Sequence, residues 1–294
     1  MKAYWRRKMI KSVIQAGFGN QLFQYATAYA LAKELGQELE LDVSWFAYVQ
    51  KKQNSTVREN NLALLSLDYP VFVGRAKDFA SYRLRVKFRF PKNVRAHGKS
   101  CPMICENVAS CREDQSELFK KIGRKGAVLY GFWQNLNYFD KYLLDLKRQF
   151  VPNYVLEEES AKLLQQIRDA NSVGVHIRRG DFVSLGWDKG QEYYDKGLEW
   201  FKKQFPGCKF FIVSDDVQWV KEHYGAREDV TVIDVGTETK DIDEFFLLAS
   251  CKHQLISEST FGWWAAYLNT NPDKKVLAPK EAKGNIFDLG WEKL

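Results

Sequence analysis

No stretch of the 294 residues is apolar for long enough to cross a bilayer. The N-terminal "MKAYWRRKMIKSVIQAGFG" is basic but lacks the apolar core of a secretory leader. The expectation is a protein that stays where it is made, in the cytoplasm. Cysteine is scarce and odd in number: Cys101, Cys105, Cys111, Cys208 and Cys251. An odd count argues against a disulfide framework and fits a reducing compartment. Cys101, Cys105 and Cys111 cluster, yet only His97 lies near and the spacing is not that of a common zinc site. Free thiols and no metal are expected. Acid is missing altogether from Phe79 to Cys105, where Arg83, Arg85, Lys87, Arg89, Lys92, Arg95 and Lys99 stand. Without those seven the chain carries 37 basic against 37 acidic residues, so the net charge of +7 is one patch. Low-complexity tracts and short repeats are absent too.

Within that patch "YRLRVKFRF" alternates basic and apolar residues at period two. The spacing predicts a strand with one solvated face, kept from edge pairing by its charges. The same surface over residues 79–105 suits peripheral contact with an anionic membrane, at its inner face, or with a charged carrier lipid. No nucleic-acid-binding motif accompanies it.

What is present is a globular composition: 45% hydrophobic and 28% charged residues, with 15% aromatics that can wall a sugar or base site. The length accommodates two domains. Pro152 follows the helical "YFDKYLLDLKRQF" and marks a boundary, giving residues 1–151 and 152–294. The second part alternates apolar strands ("SVGVHI", "KFFIVSD", "DVTVIDV", "QLIS", "KKVLAP") with amphipathic helices ("QEYYDKGLEWFKKQF", "DVQWVKEHYG", "DIDEFFLLASCKH", "STFGWWAAYLN"). Such alternation implies an α/β fold with a parallel sheet covered on both faces. The first part opens the same way, although residues 45–124 are irregular. Two such domains facing a central cleft is the expected architecture.

The first strand runs into "QAGFGNQLFQYATAYALAKELG", which partly matches a dinucleotide-binding fingerprint. Gly17 and Gly19 are in place, but Leu22 stands where the third glycine allows close strand–helix packing. Asp42 closes "ELELD" close to where a ribose-binding acid would sit. A tight strand-to-helix turn needing backbone freedom explains the glycines equally well.

Ligands of open parallel sheets bind beyond the carboxyl ends of the strands. Those ends carry "HIRRGDF" (His176, Arg178, Arg179, Asp181), "SDD" (Ser214, Asp215, Asp216) and "SEST" (Ser257, Glu258, Ser259, Thr260). Ser259 and Thr260 are helix caps, and a helix N-terminus offers free N–H groups and partial positive charge. An arginine fork from the neighbouring strand end would complete a diphosphate site without a metal. Asp241 and Asp243 form an acid pair of the kind that binds metal elsewhere, but their place before a helix favours dipole complementation. Glu244 is either a first-turn helix acid or an acceptor for a guanine edge.

"GFGNQLFQYATAYALA", "HIRRGDF", "FIVSDD" and "CKHQLISESTFGWWAAYL", supported by "RENNL", "GFWQ" and "EYYDKGL", together resemble the α-1,2-fucosyltransferases of glycosyltransferase family 11. The resemblance runs from about Val13 to Leu268. It implies a GT-B-like fold of two Rossmann-like domains, GDP-β-L-fucose as donor, a β-galactoside acceptor, which can be lipid-linked, inversion at the anomeric carbon and no metal or other cofactor. It places acceptor binding in residues 1–151 and donor binding in residues 152–294. Arg178 would contact the diphosphate, Ser259 and Thr260 would hold the phosphates, and Glu244 would read guanine beside His176, with Asp216 and Phe261 on the donor side. Asp181 is the candidate general base or a brace for the arginines. Gly17 and Gly19 would let the backbone approach the cleft, and Asn20 and Gln21 would present amides to the sugar. Two positions depart from the family pattern. Ala16 replaces a glycine, and Glu258 replaces an asparagine, adding negative charge near the phosphates. Other classes compatible with the residues are a transferase of another nucleotide sugar, a non-catalytic carbohydrate or polyanion binder, and an NAD-dependent enzyme.

Overall fold

The computed structural model describes residues 8–50, 58–88, 93–96, 99–122 and 126–294. Arg89 and Lys92 of the basic patch lie outside the described residues, and only the backbone is described over 93–96 and 99–100. The chain divides into two compact units, Met1–Asn153 with Gly284–Ile286, and Tyr154–Lys283 with Phe287–Leu294.

In the first unit β1 (Met9–Val13) leads into α1 (Phe18–Leu35), followed by β2 (Glu38–Asp42), α2 (Ser44–Val49), β3 (Phe72–Val73), α3 (Ala76–Lys87), β4 (Asn93–Ala96), β5 (Lys99–Cys105), β6 (Ala127–Tyr130) and α4 (Leu143–Gln149). The sheet order is β3-β2-β1-β6-β5-β4, parallel except where β4 runs against β5. Helix α1 is buried all round from Gln21 to Ala32: its alanines let neighbouring elements approach, while Phe23 packs on Phe139 and Tyr25 on Phe150. Gly36 ends it in the left-handed conformation, φ 57°. Asp42 turns inward: it accepts hydrogen bonds from the Ser44 N–H (3.0 Å) and the Tyr82 hydroxyl (2.8 Å). It is a structural cap, not a ribose-binding acid.

The strand expected over "YRLRVKFRF" is instead the second half of α3 as far as Lys87. Only Phe79 and Tyr82, one helical turn apart, face the core. Arg, Leu and Lys are good helix formers, and Asp78 caps the start by accepting from the Arg75 N–H at 2.8 Å. Leu84, Val86 and Phe88 are left exposed beside Arg83 and Lys87. The helix expected over Tyr138–Phe150 begins only at Leu143, after two short 3₁₀ turns.

The second unit follows the expected alternation: α5 (Glu158–Asp169), β7 (Ser172–Ile177), α6 (Gly180–Leu185), α7 (Gly190–Gln204), β8 (Lys209–Ser214), α8 (Val217–Tyr224), β9 (Val230–Val232), α9 (Lys240–Ser250), β10 (His253–Ile256), α10 (Thr260–Leu268), β11 (Val276–Ala278) and β12 (Glu292–Lys293). All its strands are parallel, in the order β12-β11-β10-β7-β8-β9. β7 is buried at every residue, as a strand covered on both faces must be. In the second sheet the direction of strand addition reverses between β7 and β10; in the first, β1 to β3 run out to one edge and β4 to β6 return from the other until β6 pairs with β1.

Candidate functional site

The reversal point of the second sheet joins β7 and β10, with His176 opposite Ile256. The residues just beyond these strands are therefore forced together. His176 lies 3.1 Å from the Ser257 hydroxyl through Nδ1 and stacks on Phe261 at 5.1 Å. Gly262 allows this, since a Cβ there would come within 2.8 Å of the imidazole. His176 is 4% exposed; burial, then the Arg178 charge, pushes its pKa down to about 3. It is a neutral imidazole at working pH.

Arg178 points its fork at two carboxylates: Nη2 meets Asp181 at 2.6 Å and Nη1 meets Asp215 at 2.9 Å. The Arg178 side chain is 17% exposed, and its guanidinium sits over the Phe182 ring. Asp215 also accepts the Arg179 backbone N–H at 2.9 Å, and its carboxylate leaves no room for a side chain at Gly180. Asp181 is more peripheral, with its side chain 57% exposed. Arg179 turns away, to Asp216 (3.2 Å) and Asp188 (3.1 Å), with its plane 4.1 Å over Trp219. Asp216 caps α8, accepting from the Trp219 N–H at 3.2 Å.

Ser259 caps α10, its hydroxyl accepting from the Phe261 N–H at 3.4 Å, and Thr260 is the first helical residue. Glu258 is paired with Lys189, 3.4 Å away. The negative charge that Glu258 adds just before α10 is thus met by a cation from the turn before α7. Glu244 reaches the same region through α9: the next residue, Phe245, meets Phe261 edge-on at 5.2 Å. Glu244 is 5% exposed, and burial pushes its carboxyl up to about 7 despite Lys240 at 3.5 Å. Its Oε1 makes no hydrogen bond among the described residues. Asp243 behaves differently. It accepts hydroxyls from Tyr154, Ser160, Thr237 and Thr239, while Asp241 is exposed, so the two do not act as a pair. Among the described residues no group of three or more His, Cys, Asp or Glu is placed to hold a metal ion.

The carboxyl end of β1, beside β6, leads into Gly17, Gly19 and Asn20. The unusual backbone falls one residue before Gly17: Ala16 adopts φ 67°, whereas Gly17 sits at an ordinary −72°. The glycine expected at this position from the resemblance would adopt this φ freely, whereas an L-residue in this region costs roughly 1–2 kcal/mol. Gln21 departs from the expectation that it faces a sugar. Its Nε2 donates to the carbonyls of Ala16 and Glu59, its Oε1 accepts from the Asn61 N–H, and it is buried. The consequence is local order: Gln21 ties the "RENNL" stretch to the loop and sets Arg58 beside Gly17. Asn20 is half-buried and accepts from Gln134 Nε2 at 2.8 Å.

Sequence reasoning missed Asp215 as the partner of Arg178, Lys189, and the first-unit group Glu106, Arg112 and Gln134. Glu106 follows β5 and accepts the backbone N–H groups of Phe132 (2.5 Å) and Trp133 (2.9 Å). Burial pushes it up to about 7 against those two donors. The "SDD" strand end was a signal for Asp215; the others carry none that is local.

A family model described as glycosyl transferase family 11 matches residues 101–291. An alpha-1,2-colitosyltransferase of Escherichia coli is 31% identical, over 95% of this chain and 96% of that protein. The galactoside alpha-(1,2)-fucosyltransferase 2 of Oryctolagus cuniculus is 26% identical, over 92% of this chain and 70% of that protein. Among solved structures, the fucosyltransferase NodZ from Bradyrhizobium matches with a TM-score of 0.55 at 17% identity, over 90% of this chain and 92% of that one. That likeness is one of fold, of the GT-B type with two α/β sheets.

Proposed function

The chain belongs to glycosyl transferase family 11, a family of α-1,2-fucosyltransferases, and from that premise we propose that it moves L-fucose from GDP-β-L-fucose to the 2-hydroxyl of a terminal β-galactoside, with inversion. The observation that carries this reading is the meeting of Arg178 and the α10 N-terminus at one strand-order reversal. In the proposed reaction the acceptor hydroxyl attacks the anomeric carbon as the bond to GDP breaks. Charge grows on the diphosphate as it leaves. Arg178, held in place by Asp215, and the free N–H groups of α10 at Ser259 and Thr260 stabilise it there without calling on a metal. Neutral His176 and Phe261 form a stacked wall, and Glu244 accepts from the guanine edge. Asp181 braces Arg178 through one oxygen, and the 2.6 Å contact favours that role over general base. Asn20, in the first unit, faces the acceptor.

Incubation with GDP-fucose and a panel of β-galactosides, with linkage determined by NMR, tests the reading. An α-1,2-fucosylated product is expected, and transfer should persist in excess EDTA. GDP binding without transfer to any galactoside would overturn it. A second reading, with colitose as the donor sugar, is favoured by the 31% identity to an enzyme of that name. Competition between GDP-fucose and GDP-colitose separates the two.

No helix among the described residues is long and apolar enough to cross a membrane. The exposed Leu84, Val86 and Phe88 beside Arg83 and Lys87 support peripheral contact of α3 with an anionic bilayer, where a lipid-linked acceptor would be met. Co-sedimentation with anionic but not neutral vesicles is the expected result.

A further inference from the structure

We propose that Arg112 sets the direction of an amide relay through Gln134, so that Asn20 offers its NH₂ group, and not its carbonyl oxygen, to the acceptor sugar. The proposal rests on the reading of Asn20 as an acceptor-side residue. A carboxamide can exchange donor for acceptor by turning over, with almost no change in shape, so its neighbours decide which end is offered. Here the deciding neighbour has only one option. The guanidinium of Arg112 donates and cannot accept. Its Nε meets Gln134 Oε1 at 3.2 Å, which turns Gln134 Nε2 toward Asn20. That group donates to Asn20 Oδ1 at 2.8 Å. The Asn20 oxygen is therefore engaged, and its Nδ2 makes no hydrogen bond among the described residues.

The relay is held on both sides. Glu106 fixes the turn that carries Gln134 by accepting the two N–H groups just before it, those of Phe132 and Trp133. Trp133 sits in the left-handed region at φ 60°, and its fully buried ring packs on Phe119 and Tyr138. Gln134 itself is 7% exposed. On the other side the Arg112 carbonyl accepts from Asn135 Nδ2 at 3.0 Å. A donor pair presented in this way recognises a sugar oxygen through its lone pairs: a ring oxygen, a glycosidic oxygen or a hydroxyl.

Gln134→Glu is the discriminating variant. The carboxylate still accepts from Arg112 but cannot donate, so Asn20 turns its NH₂ toward it and offers Oδ1 to the sugar. We expect the acceptor KM to rise at least tenfold, with kcat changed less than threefold and GDP Kd and Tm unchanged. Arg112→Met should raise acceptor KM in the same sense. Arg112→Lys, also a donor-only side chain, should lose less. Independently of activity, selective ¹⁵N-asparagine labelling reads the Asn20 side-chain NH₂, assigned from Asn20→Asp. Its protons should exchange rapidly in the wild type and be protected in Gln134→Glu. An acceptor KM within twofold of wild type, or equal loss of GDP affinity and Tm, would overturn the relay, as would an unchanged Asn20 signal. If the wild type transfers to no galactoside while the Asn20 signal changes as expected, the relay stands and the acceptor reading falls.

Discussion

Replacing Arg178 with alanine separates chemistry from folding more cleanly than any other change in the second unit. The guanidinium makes two ion-paired contacts, to Asp181 at 2.6 Å and Asp215 at 2.9 Å. Asp181 is largely exposed and returns to water on truncation, so that pair contributes about 0–1 kcal/mol. Asp215 keeps the Arg179 N–H at 2.9 Å and is not left unsatisfied. The contact with Phe182 adds roughly 0.5–1 kcal/mol. The expected stability loss is about 1–2 kcal/mol, a few degrees in Tm for a unit of this size. The catalytic loss is larger. Removing one preorganised donor from a developing anion costs about 10²–10³ in rate, and a charged fork belongs at the upper end of that range. Arg178→Ala should thus lose about a thousandfold in kcat while melting within a few degrees of wild type. A coupled assay of GDP release under saturating donor, beside differential scanning fluorimetry, measures both. Arg178→Lys, which keeps the charge without the fork, should fall between. A kcat within fivefold of wild type for Arg178→Ala would refute the assignment of this arginine to the leaving group.

Asp181→Asn still offers an oxygen to Arg178, so a brace predicts less than a tenfold loss in kcat, whereas a general base predicts 10²–10⁴. GDP affinity should depend on pH through Glu244. Its carboxyl is pushed up to about 7 and only the ionised form has both oxygens free to accept from the guanine edge, so Kd is lowest above pH 7 and about tenfold weaker at pH 6, by calorimetry. Glu244→Gln should flatten that profile. Because the folded carboxyl holds its proton to higher pH than the unfolded one, Glu244 makes the fold lose stability as pH rises from about 4.5 to 7, a slope absent in the variant. Ala16→Gly removes the strain at φ 67° but adds unfolded-state freedom, so Tm should change by less than about 3 °C with transfer retained. A large gain would mean that the strain exceeds the usual cost of an alanine in this region.

The second unit was legible because its strands are short apolar runs and its helices carry their apolar residues on one side. The residues gathered at the carboxyl ends of β7 and β10 then followed from one topological rule, since a strand's last residue and the helix after it are adjacent in sequence. α3 was misread for a physical reason. Its alternation of Arg83, Arg85 and Lys87 with Leu84 and Val86 imitates a pleated strand, but those three apolar positions through Phe88 face solvent and do not decide the fold. Phe79 and Tyr82 do, at helical spacing. Gln21 was misjudged because its partners are carbonyls and an N–H of loops, which no side-chain pattern announces. The Arg112–Gln134–Asn20 group was invisible for another reason: Gln134 and Asn20 are 114 residues apart, and only the pairing of β1 with β6 brings them together.

The return of Gly284–Ile286 to the first unit has a consequence for recombination. Asn285 accepts from the Leu136 N–H at 3.1 Å and donates to Asn135 and Asn137, clasping the loop that carries Gln134. The polypeptide therefore passes between its units three times, at Asn153–Tyr154, Lys283–Gly284 and Ile286–Phe287. A chimaera with one junction after Asn153 would bring in a foreign residue at position 285 and with it lose the clasp on the loop that carries Gln134, without any change to the first 153 residues. Exchange of the second unit between relatives calls for a graft with three junctions, one that leaves this tripeptide with its native partners.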